Sequence, residues 1–271
     1  MGGCLPHTAY FVMRTLKLTV AYDGTRFVGW QRQARGPRGA RLRRGVEVEG
    51  ESIQGLLEEA LARFEGGPVT VHGAGRTDAG VHALGQVASA EVTCMHDSGA
   101  ILRGLNSSLP PDVRVVCVED APGGFHARFS ALSKTYRYVI RNAPVASPFD
   151  RAFAWHLSEP LDEDLMRVAA HALVGTHDFA AFQSAGSETS GTVRTISRSL
   201  VSRTDDELVY EVAGNGFLRH MVRAIVGTLV EIGRGSRSAD SMAALLACRA
   251  RSEAGATAPP HGLFLVRVDY D

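Results

Sequence analysis

The 271-residue chain has little cysteine and almost no lysine. Cys4, Cys94, Cys117 and Cys248 lie far apart, and no CxxC occurs. That removes the sequence signal of a zinc knuckle or a thiol redox pair and leaves reduced, mostly buried thiols as the expectation. Lys17 and Lys134 are the only lysines, so nearly all positive charge is arginine. With many Ala and Gly beside them, this reads as GC-rich coding, and arginine clusters carry less functional weight than usual. Net charge is zero, from 29 basic and 29 acidic residues, so no global basic field advertises a nucleic-acid partner. A local basic surface is still sufficient for one. No run approaches the roughly 20 apolar residues that span a bilayer. The N-terminus lacks a signal-peptide layout, and Pro6 stands where myristoylation after Met1-Gly2 wants Ser or Thr. A cytoplasmic protein without a membrane partner is expected.

What is present fits a packed fold: 45% of residues are hydrophobic and 21% charged, ordinary values for a globular chain. Residues 1–13 show no period and read as an extension. "LKLTVAY" (16–22) alternates as a strand does, and Asp23-Gly24 marks a turn after it. "RQARGPRGARLRRG" (32–45) reads as a solvated loop. "SIQGLLEEALARF" (52–64) is an amphipathic helix with Ser52 at its cap and Ile53, Leu56, Leu57 and Leu61 on its apolar face. Strands are expected at 68–73, 86–92, 113–119, 134–141, 193–203, 207–213 and 262–270. Helices are expected near 98–106, 162–174, 216–233 and 239–249. Elements mix without a strict βαβα rhythm, which indicates an α+β fold with largely antiparallel mixed sheets. The Pro/Gly run "DAPGGFHARFSA" (120–131) divides a unit at 14–121 from one at 122–271.

The stretch "GAGRTDAGVHALGQ" (73–86) has neither strand alternation nor helical period. It sets Asp78 between Gly75 and Gly80, with Arg76 two residues before and His82 four after. A carboxylate beside a cation stays ionised, and an ionised Asp in a partly dry loop can act as nucleophile or base. A turn-capping or surface-paired Asp is the plainer alternative. His72, Asp78 and His82, with His96, offer a divalent-metal alternative, although their spacing matches no ligand motif. "KTYRYVIR" (134–141) places Tyr136, Tyr138 and Ile140 on one face and Thr135, Arg137 and Arg141 on the other. Rings and cations so divided could serve base stacking and phosphate contact, or simply a core strand. "GNGFLRHMVRAIVGTLVEIGRG" (214–235) reads as a helix with Arg219, His220 and Arg223 in its first two turns. A helix N-terminus disfavours cations by roughly 0.3–1 kcal/mol each, so these side chains are expected to face an anion, either a phosphate or a buried carboxylate such as Asp78. Three readings remain at this point: an enzyme acting on RNA, an RNA-binding module in which Asp78 only orders its loop, and a metal-dependent RNA hydrolase.

Eight blocks then occur in order: "YDGTRFVGWQRQ" (22–33), "SIQGLLEEAL" (52–61), "GAGRTDAGVHALGQ", "FHARFSALSKTYRY" (125–138), "GTHDFAAF" (175–182), "VRTI" (193–196), "GFLRHMVRAIVGTL" (216–229) and "PPHGLFLVRVDY" (259–270). Together they resemble the TruA family of tRNA pseudouridine synthases from about Arg14 to Tyr270. The resemblance implies the pseudouridine synthase fold, two α/β subdomains flanking a central basic RNA-binding cleft. It implies isomerisation of uridine at positions 38, 39 and 40 in the anticodon arm of tRNA, by a homodimer without metal or cofactor. It casts Asp78 as the catalytic aspartate with Arg76 beside it, Arg223 as its ion-pair partner, Tyr136 as the ring that stacks on the base and Leu263 as a wall of the uracil pocket. Arg137, Arg141, Arg219 and His220 join Arg76 and Arg223 as candidates to bind the RNA. The arginine-rich segment 34–50 and the N-terminal extension depart from the family's pattern.

Overall fold

The computed structural model describes residues 13–32, 42–43, 46–47, 50–184 and 191–271. The N-terminal extension and most of the arginine-rich segment lie outside the described residues. Strand β1 (Arg14–Tyr22) buries Leu16, Leu18, Val20 and Tyr22 on one face, as its alternation requires. After a short pair, β2 (Leu42–Arg43) and β3 (Val46–Glu47), comes helix α1 (Ile53–Glu65). Ser52 Oγ accepts from Gly55 N–H at its start, and Gly66 ends it at φ 68°. Then follow β4 (Val71–Gly73), β5 (His82–Val92), α2 (Ser98–Ser108) and β6 (Val113–Ala121). The second half holds β7 (Ser133–Asn142), β8 (Trp155–Leu157), α3 (Glu163–His171), β9 (Gly175–Asp178), β10 (Val193–Thr204), β11 (Glu207–Gly214), α4 (Met221–Gly233), α5 (Ser241–Cys248) and β12 (Leu263–Asp269).

The α+β fold with mostly antiparallel pairing is what the chain adopts. Strands of both halves join in one ten-stranded sheet, eight of them along the path β6-β1-β5-β12-β7-β11-β10-β9, with β4 added on β5 and β8 on β7. The last strand makes the join. β12 pairs parallel to β5 (Phe264 opposite His82) and antiparallel to β7 (Leu265 opposite Tyr136). Residues from the Asp78 loop, the aromatic strand and the C-terminal segment thus meet at the middle of one sheet. Helices α1 and α2 cover the first half with Leu57, Leu61, Ile101 and Leu105, and α3 and α4 cover the second with Met166, Ile225 and Leu229.

Three expectations need correction. The strand after the Asp78 loop starts at His82, inside the stretch read as irregular. It lies mid-sheet with both faces covered, so it shows no polar alternation. The helix expected from 216 starts at Met221, because 216–220 is a loop that sinks Leu218 into the core and turns at His220 with φ 62°. The thiols are less buried than expected: Cys94 and Cys117 are half-buried and Cys248 is exposed at the outer end of α5.

Candidate active site

The Asp78 loop is held from below by the block "YDGTRFVGW". Trp30 N–H donates to Thr77 O at 3.1 Å, and Tyr22 and Thr77 hydroxyls share a hydrogen bond of 2.8 Å. Gln86 Nε2 donates to Gly75 O at 2.9 Å, and Val81 N–H to Asp78 O at 3.1 Å. Two glycines permit this approach. Gly29 sits at φ 104°, and a Cβ there would lie 2.6 Å from Thr77 O; one on Gly24 would lie 2.0 Å from Val81 O. The loop backbone is therefore fixed by partners on β1, β5 and the 23–30 turn.

His82 belongs to this scaffold. It is 1% exposed and stacked on Phe264 at 4.8 Å. Nδ1 accepts from Gly24 N–H at 3.0 Å, and Nε2 faces the carbonyls of Ala152 and His261 at 3.0 and 3.1 Å. Nε2 therefore carries the proton. Burial, opposed by Asp23, holds the pKa below the usual histidine range. Both nitrogens are engaged, so His82 offers no lone pair to a metal. His72 stacks instead on His126, and His96 packs on Phe64. Among the described residues no three His, Cys, Asp or Glu side chains gather as a metal site.

Asp78 projects from this platform toward the second half. Arg223, in the first turn of α4, places Nη1 3.1 Å from Oδ2. His220 places Nε2 3.3 Å from Oδ1, while its Nδ1 lies 2.7 Å from Ser184 Oγ. Arg223 Nε also donates to Ala258 O at 2.7 Å, tying the guanidinium to the segment before β12. Side-chain exposure is 29% for Asp78 and 12% for Arg223. Burial pushes the Asp78 carboxyl up, but the hydrogen bond and charge of His220 and then Arg223 outweigh it and hold the group below its ordinary value of 3.8. The site thus presents a half-buried anion, clamped at both oxygens. Both clamping groups lie far along the chain, Arg223 145 residues after Asp78, and Arg76 is not among them. Arg76 is exposed and makes no ion pair with Asp78, because Thr77 turns inward and the preceding side chain turns out. His220, expected to bind substrate, contacts Asp78 directly.

A family model described as tRNA pseudouridine synthase matches residues 18–130 and 169–271. The curated tRNA pseudouridine synthase A of Pelobacter propionicus is 43% identical over 258 residues, covering 95% of this chain and 100% of its own. That of Solibacter usitatus is 44% identical over 261 residues with the same coverage, and that of Myxococcus xanthus 44% over 259, covering 95% and 92%. The chain belongs to the tRNA pseudouridine synthase family. A solved structure of the archaeal box H/ACA sRNP Nop10–Cbf5 complex overlaps 65% of this chain and 38% of its own, at TM-score 0.33 and 11% identity, too loose a likeness to carry weight.

The other candidates of this synthase separate on inspection. Tyr136 is 8% exposed and edge-on to Phe217, with ring centroids 5.0 Å apart. Burial, with Tyr22 and then Asp78 adding to it, pushes its hydroxyl pKa well up, so the ring is neutral. Leu263 is buried and pairs opposite Tyr138, two residues along β7 from Tyr136. Arg219 is exposed at the mouth of the loop before α4. Arg137 and Arg141 lie on the outer face of β7 as expected, but each meets acids: Arg137 reaches Glu211 at 3.7 Å, and Arg141 reaches Asp150 at 2.8 Å and Glu207 at 3.3 Å. Their charge is already answered within the protein, which weakens them as phosphate ligands. Sequence reasoning missed Ser184, Tyr22, Gln86 and Phe217. Tyr22 lay in a quoted block, and its two glycines, placed a few residues after a strand, were the available sign that this turn approaches another backbone closely.

Proposed function

We propose that the protein converts uridine to pseudouridine at positions 38, 39 and 40 in the anticodon arm of tRNA, with Asp78 as the reacting carboxylate. The observation that supports it most is the double clamp on Asp78 by Arg223 and His220, which keeps an anion half-exposed at the centre of the sheet. The reaction breaks the N1–C1′ bond, turns the base and forms a C5–C1′ bond; a proton leaves C5 and N1 ends protonated. Composition does not change, so neither an oxidant nor a second substrate is needed. A base stacked in a stem must first be flipped out, at a cost of a few kcal/mol. Stacking on Tyr136 offsets part of this, by roughly 1–3 kcal/mol, while Leu263 walls the pocket. An anionic Asp78 is suited to attack on ribose C1′ or on C6 of the base, or to removal of a ribose proton, and not to general-acid work. Arg76 and Arg219, both exposed, are the arginines this reading assigns to RNA phosphates.

The same reading has the protein act as a cytoplasmic homodimer without metal or cofactor. No helix among the described residues is long and apolar enough to cross a membrane. The test is incubation with unmodified tRNA transcripts in excess chelator, with pseudouridine mapped by carbodiimide-blocked reverse transcription. Stops at 38–40 that vanish in Asp78→Ala are expected. Binding without modification would leave a module in which Asp78 only orders its loop. Strand cleavage rescued by metal would show a hydrolase. Light scattering reads the oligomeric state.

A further inference from the structure

The arginine bias leaves the sequence unable to say which cations are free to meet RNA, and ion pairing in the structure sorts them. Arg137, Arg141, Arg198 and Arg203 are all matched by glutamates or aspartates. Arg76, Arg128 and Lys134 make no ion pair among the described residues, and they fall in one region. Lys134 runs beside the catalytic loop: a methyl group added to Gly75 would sit 3.5 Å from its Cε. Burial and then the charge of Arg128 hold the Lys134 pKa down, as expected of cations crowded together without an acid.

Beside them the segment 125–130 sets His126 and Phe129 in a row with His72 of β4, neighbouring rings tilted by 32° and 36°. His72 from β4 and His126 lie with centroids 4.7 Å apart, and His126 and Phe129 4.4 Å apart. Phe129 ends the row with 77% of its surface exposed, and the Arg128 guanidinium lies 5.7 Å from its centroid. The turn is not loose: Ala127 N–H donates to Ser89 Oγ on β5, and Arg128 N–H to His126 Nδ1, both at 3.1 Å. This hydrogen-bonded turn holds a large ring out to solvent, packed on His126 and flanked by Arg128, so the fold buries little of it. Bases, each with a π-face and a phosphate, complement it.

We infer that His72, His126 and Phe129 form a stacking platform for an unpaired nucleotide of the RNA substrate, whose flanking phosphates are met by Arg128, Lys134 and Arg76. Lys134 links the platform to the loop that carries Asp78, since it feels the charge of Arg128 and runs beside Gly75. This rests on the tRNA reading above. Phe129→Ala and Phe129→Trp, with Arg128→Ala, are titrated with unmodified tRNA transcript by filter binding at several salt concentrations, and pseudouridine formation is followed in parallel. Phe129→Ala is expected to weaken binding about 5- to 150-fold and to raise KM with little change in kcat, while Phe129→Trp stays within about twofold of wild type. Arg128→Ala is expected to lower the slope of log affinity against log salt by about 0.7–0.9. Wild-type affinity in Phe129→Ala, or equal weakening by Ala and Trp, overturns the platform. Wild-type protein that binds tRNA without forming pseudouridine would instead sink the catalytic reading and leave the platform standing.

Discussion

Replacing Arg223 with Gln separates the charge of its guanidinium from the shape of the site. Breaking a buried ion pair by removing one partner costs about 3–5 kcal/mol, whereas an exposed pair is worth about 0–1 kcal/mol. Asp78 keeps 29% of its side chain exposed and Arg223 12%, so this pair falls between the limits, at about 2–3 kcal/mol. If that difference is felt in the transition state, the single-turnover rate at neutral pH falls about 30- to 150-fold. The pH profile carries the sharper signature. The folded value of Asp78 is depressed, so its ionised form contributes stability above 3.8 that is lost as pH falls through the folded value. In the variant, burial still pushes the carboxyl up and only His220 opposes it. The acid limb of the rate profile therefore moves to higher pH.

Arg223→Lys keeps the charge but loses the donor to Ala258 O, so it should fall between Gln and wild type. Single-turnover assays on tRNA transcript across mildly acidic to neutral pH, with circular-dichroism melts as the folding control, read both effects. A Gln variant with the wild-type rate and an unmoved acid limb would show that Arg223 does not hold Asp78 charged, and the clamp would have no chemical role.

Ser184→Ala removes the hydrogen-bond partner of His220 Nδ1 at 2.7 Å; kcat is expected to fall about 2- to 12-fold with KM unchanged, and steady-state kinetics checks the split. Gly29→Ala places a Cβ 2.6 Å from Thr77 O at a φ of 104°, so a loss of about 2 kcal/mol or more is expected in urea unfolding, with activity falling alongside as the Asp78 loop shifts. Burial raises Tyr22 to about 12 from 10.0, which contributes about 2–3 kcal/mol of stability that is present below pH 10 and lost as pH rises toward 12; Tyr22→Phe should flatten that alkaline decline in urea midpoints measured from pH 9 to 12.

Where local rules acted alone, the sequence was legible. Ser52 and Gly66 bracket α1 because a cap and a left-handed glycine act within one turn, and β1 alternates because one face is core. Legibility failed where a partner distant in sequence decided the outcome. The resemblance singles out Arg223 as the counter-ion of Asp78, and that pair forms; Arg76, two residues away, does not join it, and His220, expected at the substrate, supplies the second contact. The apolar pattern from Phe217 onward resembled helix because the loop 216–220 buries Leu218 without being helical.

The arginines make the same point in reverse. On β7 the sequence displays Arg137 and Arg141 on the face opposite Tyr136, and nothing local marks them as neutralised. Register against β11 sets Glu211 opposite Arg137 and Glu207 opposite Arg141, so cross-strand pairing absorbs both charges. Arg128 lies in the Pro/Gly run that sequence alone reads as linker, and among the described residues no acid pairs with it. A basic residue can attract RNA only with the charge its own fold leaves unanswered. Once a chain uses arginine for nearly every cation, pairing partners rather than composition mark the substrate surface. In this sheet Arg128 and Lys134 make no ion pair among the described residues, whereas Arg137 and Arg141 are matched, which is why the proposed platform is sought at 125–134.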